Sequence, residues 1–488
     1  MQSLMFWKEC RLISYCLSVS TTANGKVSAE VQKSNGSKIQ PMMPVRIAGN
    51  QVMAKRILRS ISFLTLTLLA VVVAAPTVIA ADETGEAASA HTETSAGKRF
   101  DQDPMNGPDS VSVELKNDKE EKADVLDLNL LKKWKKWKAG ITEKTGLDFG
   151  ADYTAVGFAA TSSLGDDTSA SGIARVYGSW AFLNRGTKDT GSIDFKIENR
   201  HSYTDVPPAA FGFEVGYVGT PEPVFNDQGF RVNNLYWKQH FFDDRAGSRL
   251  GFIDVKEYFD VYALASPWTG FGNLAFSIGS NTMTVLPDGA FGAMVGVYLT
   301  DRIYAAAGIA DRNADPTDVF HGFDTFFNDF ETFKSFEIGI TGGGRELFLR
   351  NVHVAIWQMD ESDETGAPSG WGVTASASTV YDGKWLPFLR GGWAHDGGGA
   401  YEASISAGFG YMDKPGGNLL GIGLNWGRPN SDTFPVDLND QFTGEVFYRV
   451  QLTENIQVTP SIQLYGDPAL NPDVDFIVLF GLRARVQF

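Results

Sequence analysis

The chain has 488 residues, a formal net charge of −16, 12% aromatic residues and two cysteines. That charge leaves no basic footprint for nucleic acid, and neither zinc-finger spacing nor a phosphate-cradling glycine loop followed by lysine occurs. A hydrophobic fraction of 43% argues against a bundle of membrane helices but suits strands that are apolar on one face alone.

Residues 1–52 contain Cys10 and Cys16 and read as sequence upstream of a true start at Met53. Residues 53–81 read as a signal peptide. Lys55, Arg56 and Arg59 precede an apolar stretch from Ile61 to Ala75, and Val78 and Ala80 stand at the small-residue positions of a cleavage site. The exported chain would then hold no cysteine, which avoids wrong disulfides in an oxidising compartment. Residues 82–120, rich in Glu, Asp, Ser, Gly and Lys, read as a disordered tether. Across 121–146, Val125, Leu128, Leu131, Trp134 and Trp137 recur at near-helical spacing and predict an amphipathic helix closed by Gly140 or Gly146. Such a helix suits docking at a barrel mouth, contact with an anionic surface, or a solvated connection.

From Leu147 the pattern changes to alternation. Segments at about 147–160, 171–183, 191–202, 229–241, 248–256, 290–299, 303–311, 331–341, 347–359, 370–381, 384–395, 400–412, 418–428, 441–452, 455–465 and 475–488 each read as a strand. Their connections sort into short turns ("DDRAG", "TDR", "DG", "TE") and long loops (203–228, 257–289, 312–330). About sixteen strands with short turns at one end and long loops at the other predict an all-β fold: a transmembrane antiparallel β-barrel over 147–488, with a short amino-terminal helix. Phe182, Tyr381, Trp385, Tyr411 and Phe488 fall beside the short turns, where an interfacial aromatic girdle belongs.

The last strand shows the phase. Phe476, Val478, Phe480, Leu482, Ala484, Val486 and Phe488 share one face, and Arg483, Arg485 and Gln487 share the other. The same alternation sends Arg175, Tyr177, Lys196, Glu198, Arg200, Arg390, Glu445, Arg449 and Gln463 into the lumen. Paired Arg and Glu exchange hydrogen bonds with hydroxyl groups, and each of these charges also reads as a rung of a structural ion-pair ladder. Segment 257–289 is too apolar for a solvated loop. It is expected to fold inward, with Trp268, Phe271, Asn273 and Phe276 at a constriction, or else to cover the barrel wall or a protomer interface. The loops "DRNADPTDVFHGFDTFFNDFE" and "MDESDETG" read as acidic solvated faces, as anion repellents, or as cation-bridged contacts to lipopolysaccharide.

The stretch "FTGEVFYRVQLTENIQVTPSIQLYGDPALNPDVD" with "GLRARVQF", "FLRGGWAHDGG" at 388–398 and "LLGIGLNWGRP" at 419–429 resembles the carbohydrate-selective porins of the OprB type. In "RLGFIDVKEYFD", Phe252 stands where that family's pattern has a basic residue. The resemblance covers roughly 147–488. It implies an outer-membrane porin that passes mono- and oligosaccharides passively, without a cofactor, with sugars as permeating solutes and outer-membrane lipid and lipopolysaccharide as surroundings. Phe488 resembles the carboxy-terminal signal read by the barrel-insertion machinery, and a homo-oligomer is left open. The alternatives are a general or cation-preferring diffusion porin and a plugged surface-binding barrel. None of the six histidines sits in a metal-spaced or nucleophile-like motif, so no enzyme is expected.

Overall fold

The computed structural model describes residues 15–21, 27–33, 103–120, 122, 124–126, 131–283, 287–342, 347–414, 416–434 and 436–488. The chain divides into two compact units: Met1–Thr84 with Ser362–Ala367, and Gly85–Glu361 with Pro368–Phe488. In the first, Tyr15–Thr21 pairs antiparallel with Val27–Lys33. The expected signal peptide, 53–81, lies outside the described residues.

The second unit is a closed antiparallel barrel of sixteen strands. They are β1 (Leu147–Ala160), β2 (Thr168–Leu183), β3 (Gly191–Ser202), β4 (Gly229–Phe241), β5 (Ala246–Ile253), β6 (Ala290–Tyr298), β7 (Ile303–Asp311) and β8 (Thr332–Thr341), then β9 (Asn351–Met359), β10 (Gly370–Ser378), β11 (Trp385–Asp396), β12 (Tyr401–Met412), β13 (Leu419–Pro429), β14 (Gln441–Thr453), β15 (Ile456–Gly466) and β16 (Phe476–Gln487). Each strand pairs with the next, and β16 closes on β1 with Arg483 opposite Val156 and Arg485 opposite Thr154. The alternation is kept: Ile477, Leu479, Arg483, Arg485 and Gln487 are buried inside, while Phe476, Phe480, Leu482 and Phe488 are exposed outside. Asp382 and Gly383, both at positive φ, form the tip of the β10–β11 turn, which the Tyr381–Trp385 bridge closes. A type I′ hairpin needs that conformation, and Asp-Gly adopts it readily.

The core lies inside the barrel. The β5–β6 connection, over its described residues 254–283 and 287–289, folds into the lumen rather than outward. Its Tyr262, Leu264, Phe271 and Phe276 pack on Leu386, Phe388, Leu419 and Phe447 of β11, β13 and β14. Its Val255, Phe259, Ile278 and Met283 pack on Phe333, Ala355 and Trp357.

Two expectations are corrected. Residues 103–120, read as part of a disordered tether, form an ordered strap in the lumen that contains helix α1 (Val111–Asn117). Met105, Val111, Val113 and Leu115 are buried there. A tether-like composition suffices because the lumen wall supplies both apolar and charged partners. The helix predicted over 121–146 is shorter, α2 (Lys132–Thr145), ending at Gly146 in the left-handed conformation. Its apolar stripe begins too early because Val125 and Leu126 instead donate backbone hydrogen bonds to Gln451 and Leu452 at the end of β14. Trp134 and Trp137 of α2 pack against each other, tilted by 32°, and meet Phe149 edge-on.

Candidate functional site inside the barrel

Strand register sets the first wall. Asp152 of β1 lies opposite Arg175 of β2, Arg175 opposite Glu198 of β3, and Glu198 opposite Arg231 of β4. A row of alternating charge therefore crosses four strands, each pair a favourable cross-strand neighbour. Arg175 donates to Asp152 at 2.9 and 2.5 Å, and Arg485 donates to the same carboxylate at 2.6 Å. Arg200 pairs with Glu198 at 2.6 Å.

The strap inserts its own charges into this wall. Glu114 meets Arg175 at 2.7 Å and Lys196 at 2.8 Å. Lys196 also reaches Glu257 and the Asp109 carbonyl, each at 2.7 Å. Asp103 pairs with Arg249 at 2.9 Å, and Tyr177 donates to Asp118 at 2.8 Å. Gly107 passes so close to the Glu257 carbonyl that an added Cβ would stand 2.3 Å from it. Enclosure in the lumen pushes Asp109 up to about 6, and the neighbouring Glu114 carboxylate adds to the shift.

The adjoining wall, β14–β16, holds the tip of the inward loop. Glu445 accepts from the Gly272 and Asn273 backbone N–H groups, both at 2.9 Å. Arg449 donates to the Thr269 carbonyl at 3.1 Å, and Arg483 to the Gly270 carbonyl at 2.8 Å. Gln463 accepts from Asn273 at 3.0 Å. Arg390 pairs at 2.7 Å with Asp260, which also meets His353 at 2.8 Å. The β3–β4 loop, with its short helix α3 (Phe211–Val215), enters the lumen as well. Tyr217 stacks on Tyr465 with ring centres 3.9 Å apart, and Glu222 pairs with Arg483 at 2.8 Å. Burial pushes Glu222 up to about 8, against the pull of Arg483.

All the sequence-predicted residues thus lie inside the barrel, but in three groups. Arg175, Tyr177, Lys196, Glu198, Arg200 and Arg485 line the strap side. Asn273, Glu445, Arg449, Gln463 and Arg483 surround the loop tip, and Arg390 stands apart with Asp260. Trp268 joins the first two groups: the Arg175 guanidinium lies 3.7 Å from its ring centre, while its loop neighbours bond Arg449 and Arg483. Glu445 and Arg449 hold loop backbone, and Trp268 is buried under Arg175. Asp152, Arg231, Glu222 and Asp260 were missed. Alternation along β1 and β4 marks Asp152 and Arg231 as inward; nothing local marks the two loop carboxylates.

Where the groups meet, Arg175 Nη1, Arg483 Nε and Glu222 Oε2 are buried and make no hydrogen bond among the described residues. Arginine and carboxylate edges beside an indole face are suited to polyhydroxylated solutes: the charged groups exchange hydrogen bonds with hydroxyls, and the ring covers apolar C–H. Beside the strap, at the short-turn end, a cavity of about 400 Å³ is lined by Ser112, Lys116, Lys119, Asp148, Arg185 and Lys238 among others. On the long-loop rim, His395, Asp396 and Asp432 each bring one ligand atom within 4.8 Å of the others.

Comparison with known proteins places these features in context. The family model described as carbohydrate-selective porin, OprB family, matches residues 126–348 and 350–488. The high-pH structure of Pseudomonas putida OprB is similar, with a TM-score of 0.57 and 15% identity over 73% of this chain and 97% of that one. Its low-pH structure gives 0.44 and 12% over 74% and 98%. A mutant of the Rh. blastica porin gives 0.44 and 10% over 70% and 100%. No curated protein sequence matches.

Proposed function

The chain belongs to the OprB family of carbohydrate-selective porins, and from that premise we propose that sugars cross this outer-membrane barrel by way of the seam between the inward loop tip and the β15–β16–β1–β2 wall. The carrying observation is the set of buried, hydrogen-bond-capable edges at the loop tip: Arg175 over Trp268, and Arg483 paired with Glu222 and bonded to the Gly270 carbonyl. In this reading a sugar ring takes the place of the Arg175 guanidinium on the face of Trp268, and Arg175 and Arg483 donate to its hydroxyls. Glu222 and Asp152 accept from hydroxyls, and the cavity beside Lys116 and Lys238 is the exit vestibule. Both charge signs at one constriction favour neutral polar solutes over a simple anion, which a ring of arginines without carboxylates would select.

Planar-bilayer conductance with and without glucose or maltodextrin tests the proposal. Concentration-dependent block of the current by sugar is the expected result. Current without block would make the channel a general diffusion pore. The strap and two loops inside the barrel favour one second reading, a barrel closed until the strap moves, which would show as absence of current in the intact chain.

A further inference from the structure

The β7–β8 loop, an acidic solvated face by composition, carries helix α4 (Val319–Asn328). Its faces are chemically distinct. Gly322 and Thr325 are buried, and the Thr325 hydroxyl donates to Asp311 at the end of β7 at 2.8 Å. His321, Asp324 and Asn328 form a polar edge. Phe320, Phe323 and Phe327 recur along the third edge at helical spacing. They are 79%, 48% and 60% exposed, and Phe330, just beyond the helix, is 57% exposed. Such a contiguous apolar patch on a solvated loop calls for a partner.

Its partner is indicated by what the rings join. Phe323, Phe326 and Phe327 pack around Phe291 with centres 5.0 to 5.5 Å apart. Phe291 lies on the outward face of β6 and meets Phe252 of β5 at 5.5 Å. Below them the outward face continues through exposed Leu250, Val295, Phe336 and Ile338. The aromatic edge of α4 is therefore an extension of the lipid-facing wall.

We propose that α4 is an interfacial helix of the outer leaflet, its phenylalanines among lipid acyl chains at the rim of β5–β8 and its polar edge toward water. An amphipathic helix lying in the interface plane has this division of faces. A helix so placed fixes the depth of this side of the barrel and ties the outer end of β7 to the membrane surface. The proposal rests on the outer-membrane reading, so its test carries a separate control for that reading.

In the full chain with Cys10 and Cys16 replaced by Ser, single cysteines at Phe320, Phe327, Phe330, Asp324 and Asn328 are spin-labelled after reconstitution into phosphatidylcholine vesicles. Val295→Cys, on the barrel wall, is the control. Power saturation then compares access of oxygen, which enters lipid, with access of a water-soluble nickel chelate. The expected ratio of oxygen to chelate access at 320, 327 and 330 matches Val295 and exceeds that at 324 and 328 several-fold. A ratio at 320, 327 and 330 as low as at Asp324, with Val295 still lipid-accessible, overturns the proposal and leaves the membrane location intact. Loss of access to both agents with spin–spin broadening overturns it in favour of a second copy of the chain. A chelate-accessible Val295 would overturn the membrane reading itself.

Discussion

Of the three segments that fill the lumen, two are held there by different forces. The inward loop Asp254–Gly289 is seated on apolar clusters whose members come from both the loop and the far wall. Burial of that kind stabilises by about 25 cal/mol per Å² and is insensitive to salt. The strap 103–120 makes smaller apolar contacts, Val111 and Leu115 on Tyr177 and Met105 near Tyr236 and Tyr258. Its other ties are desolvated ion pairs to Arg175, Lys196 and Arg249. Such pairs roughly break even against hydration of the separated partners. The contrast predicts a loop fixed in the barrel and a strap whose seating depends on its charges.

The sharpest test of this contrast removes the strap. Deletion of 103–120 should raise single-channel conductance several-fold while the heat-modifiable mobility of the barrel in detergent gels persists. Unchanged conductance would place the solute path elsewhere. Glu114→Ala is next in size. It leaves Arg175 with Asp152 and Lys196 with Glu257, so the loss stays below the ~3–5 kcal/mol of an uncompensated buried charge, and should appear as frequent transitions to the strap-free conductance. Trp268→Ala follows. It removes a desolvated cation–π contact of about 2 kcal/mol and the stacking face proposed for sugar, so sugar block should weaken about tenfold or more with a modest rise in conductance.

The smallest expected effect is pH-dependent. Asp109 stands at about 6 in the seated strap against about 3.9 when exposed, so seating binds a proton. Its contribution is complete below about 3.9 and is lost as pH rises through about 6. Asp103 acts oppositely: burial raises it, but Arg249 and His240 prevail and hold it below the usual carboxylate range, so its contribution falls away only in stronger acid. Open events should therefore increase between pH 4 and 7, and Asp109→Asn should flatten that rise. A slope unchanged by Asp109→Asn would assign the titration to another group.

The barrel was legible because period-two alternation and loop sorting are local signals repeated along the chain. Predicted and observed strands differ mainly at their ends, as where the predicted 248–256 stops at Ile253 because Asp254 opens a short 3-10 turn. The facing of Arg175, Glu198, Glu445 and Arg483 was legible for the same reason. Their partners were not. Glu445 binds backbone N–H groups at Gly272 and Asn273, and Glu114 reaches Arg485 at 3.8 Å, contacts that exist only once the cylinder has closed. The strap escaped notice because four buried apolar residues scattered among charges carry no periodic signal. Helix α4 escaped because the acidic residues between its phenylalanines dominated the composition of the loop.

The segment between strap and barrel has a consequence for closure. Lys122 donates to Gln487 of β16 at 2.6 Å, Lys138 to the Phe488 carbonyl at 3.1 Å, and Trp180 of β2 to the Thr145 carbonyl at 3.2 Å. Lys135 meets Glu454 in the β14–β15 turn. One short stretch of chain thus bridges the junction of β16 with β1, the pairing that joins the two ends of the barrel sequence. Bringing such distant segments together carries the largest loop-closure entropy in the sheet. A latch across that junction opposes unzipping where an unclasped cylinder would open first, so the lifetime of the closed barrel is governed in part by residues that belong to none of its strands.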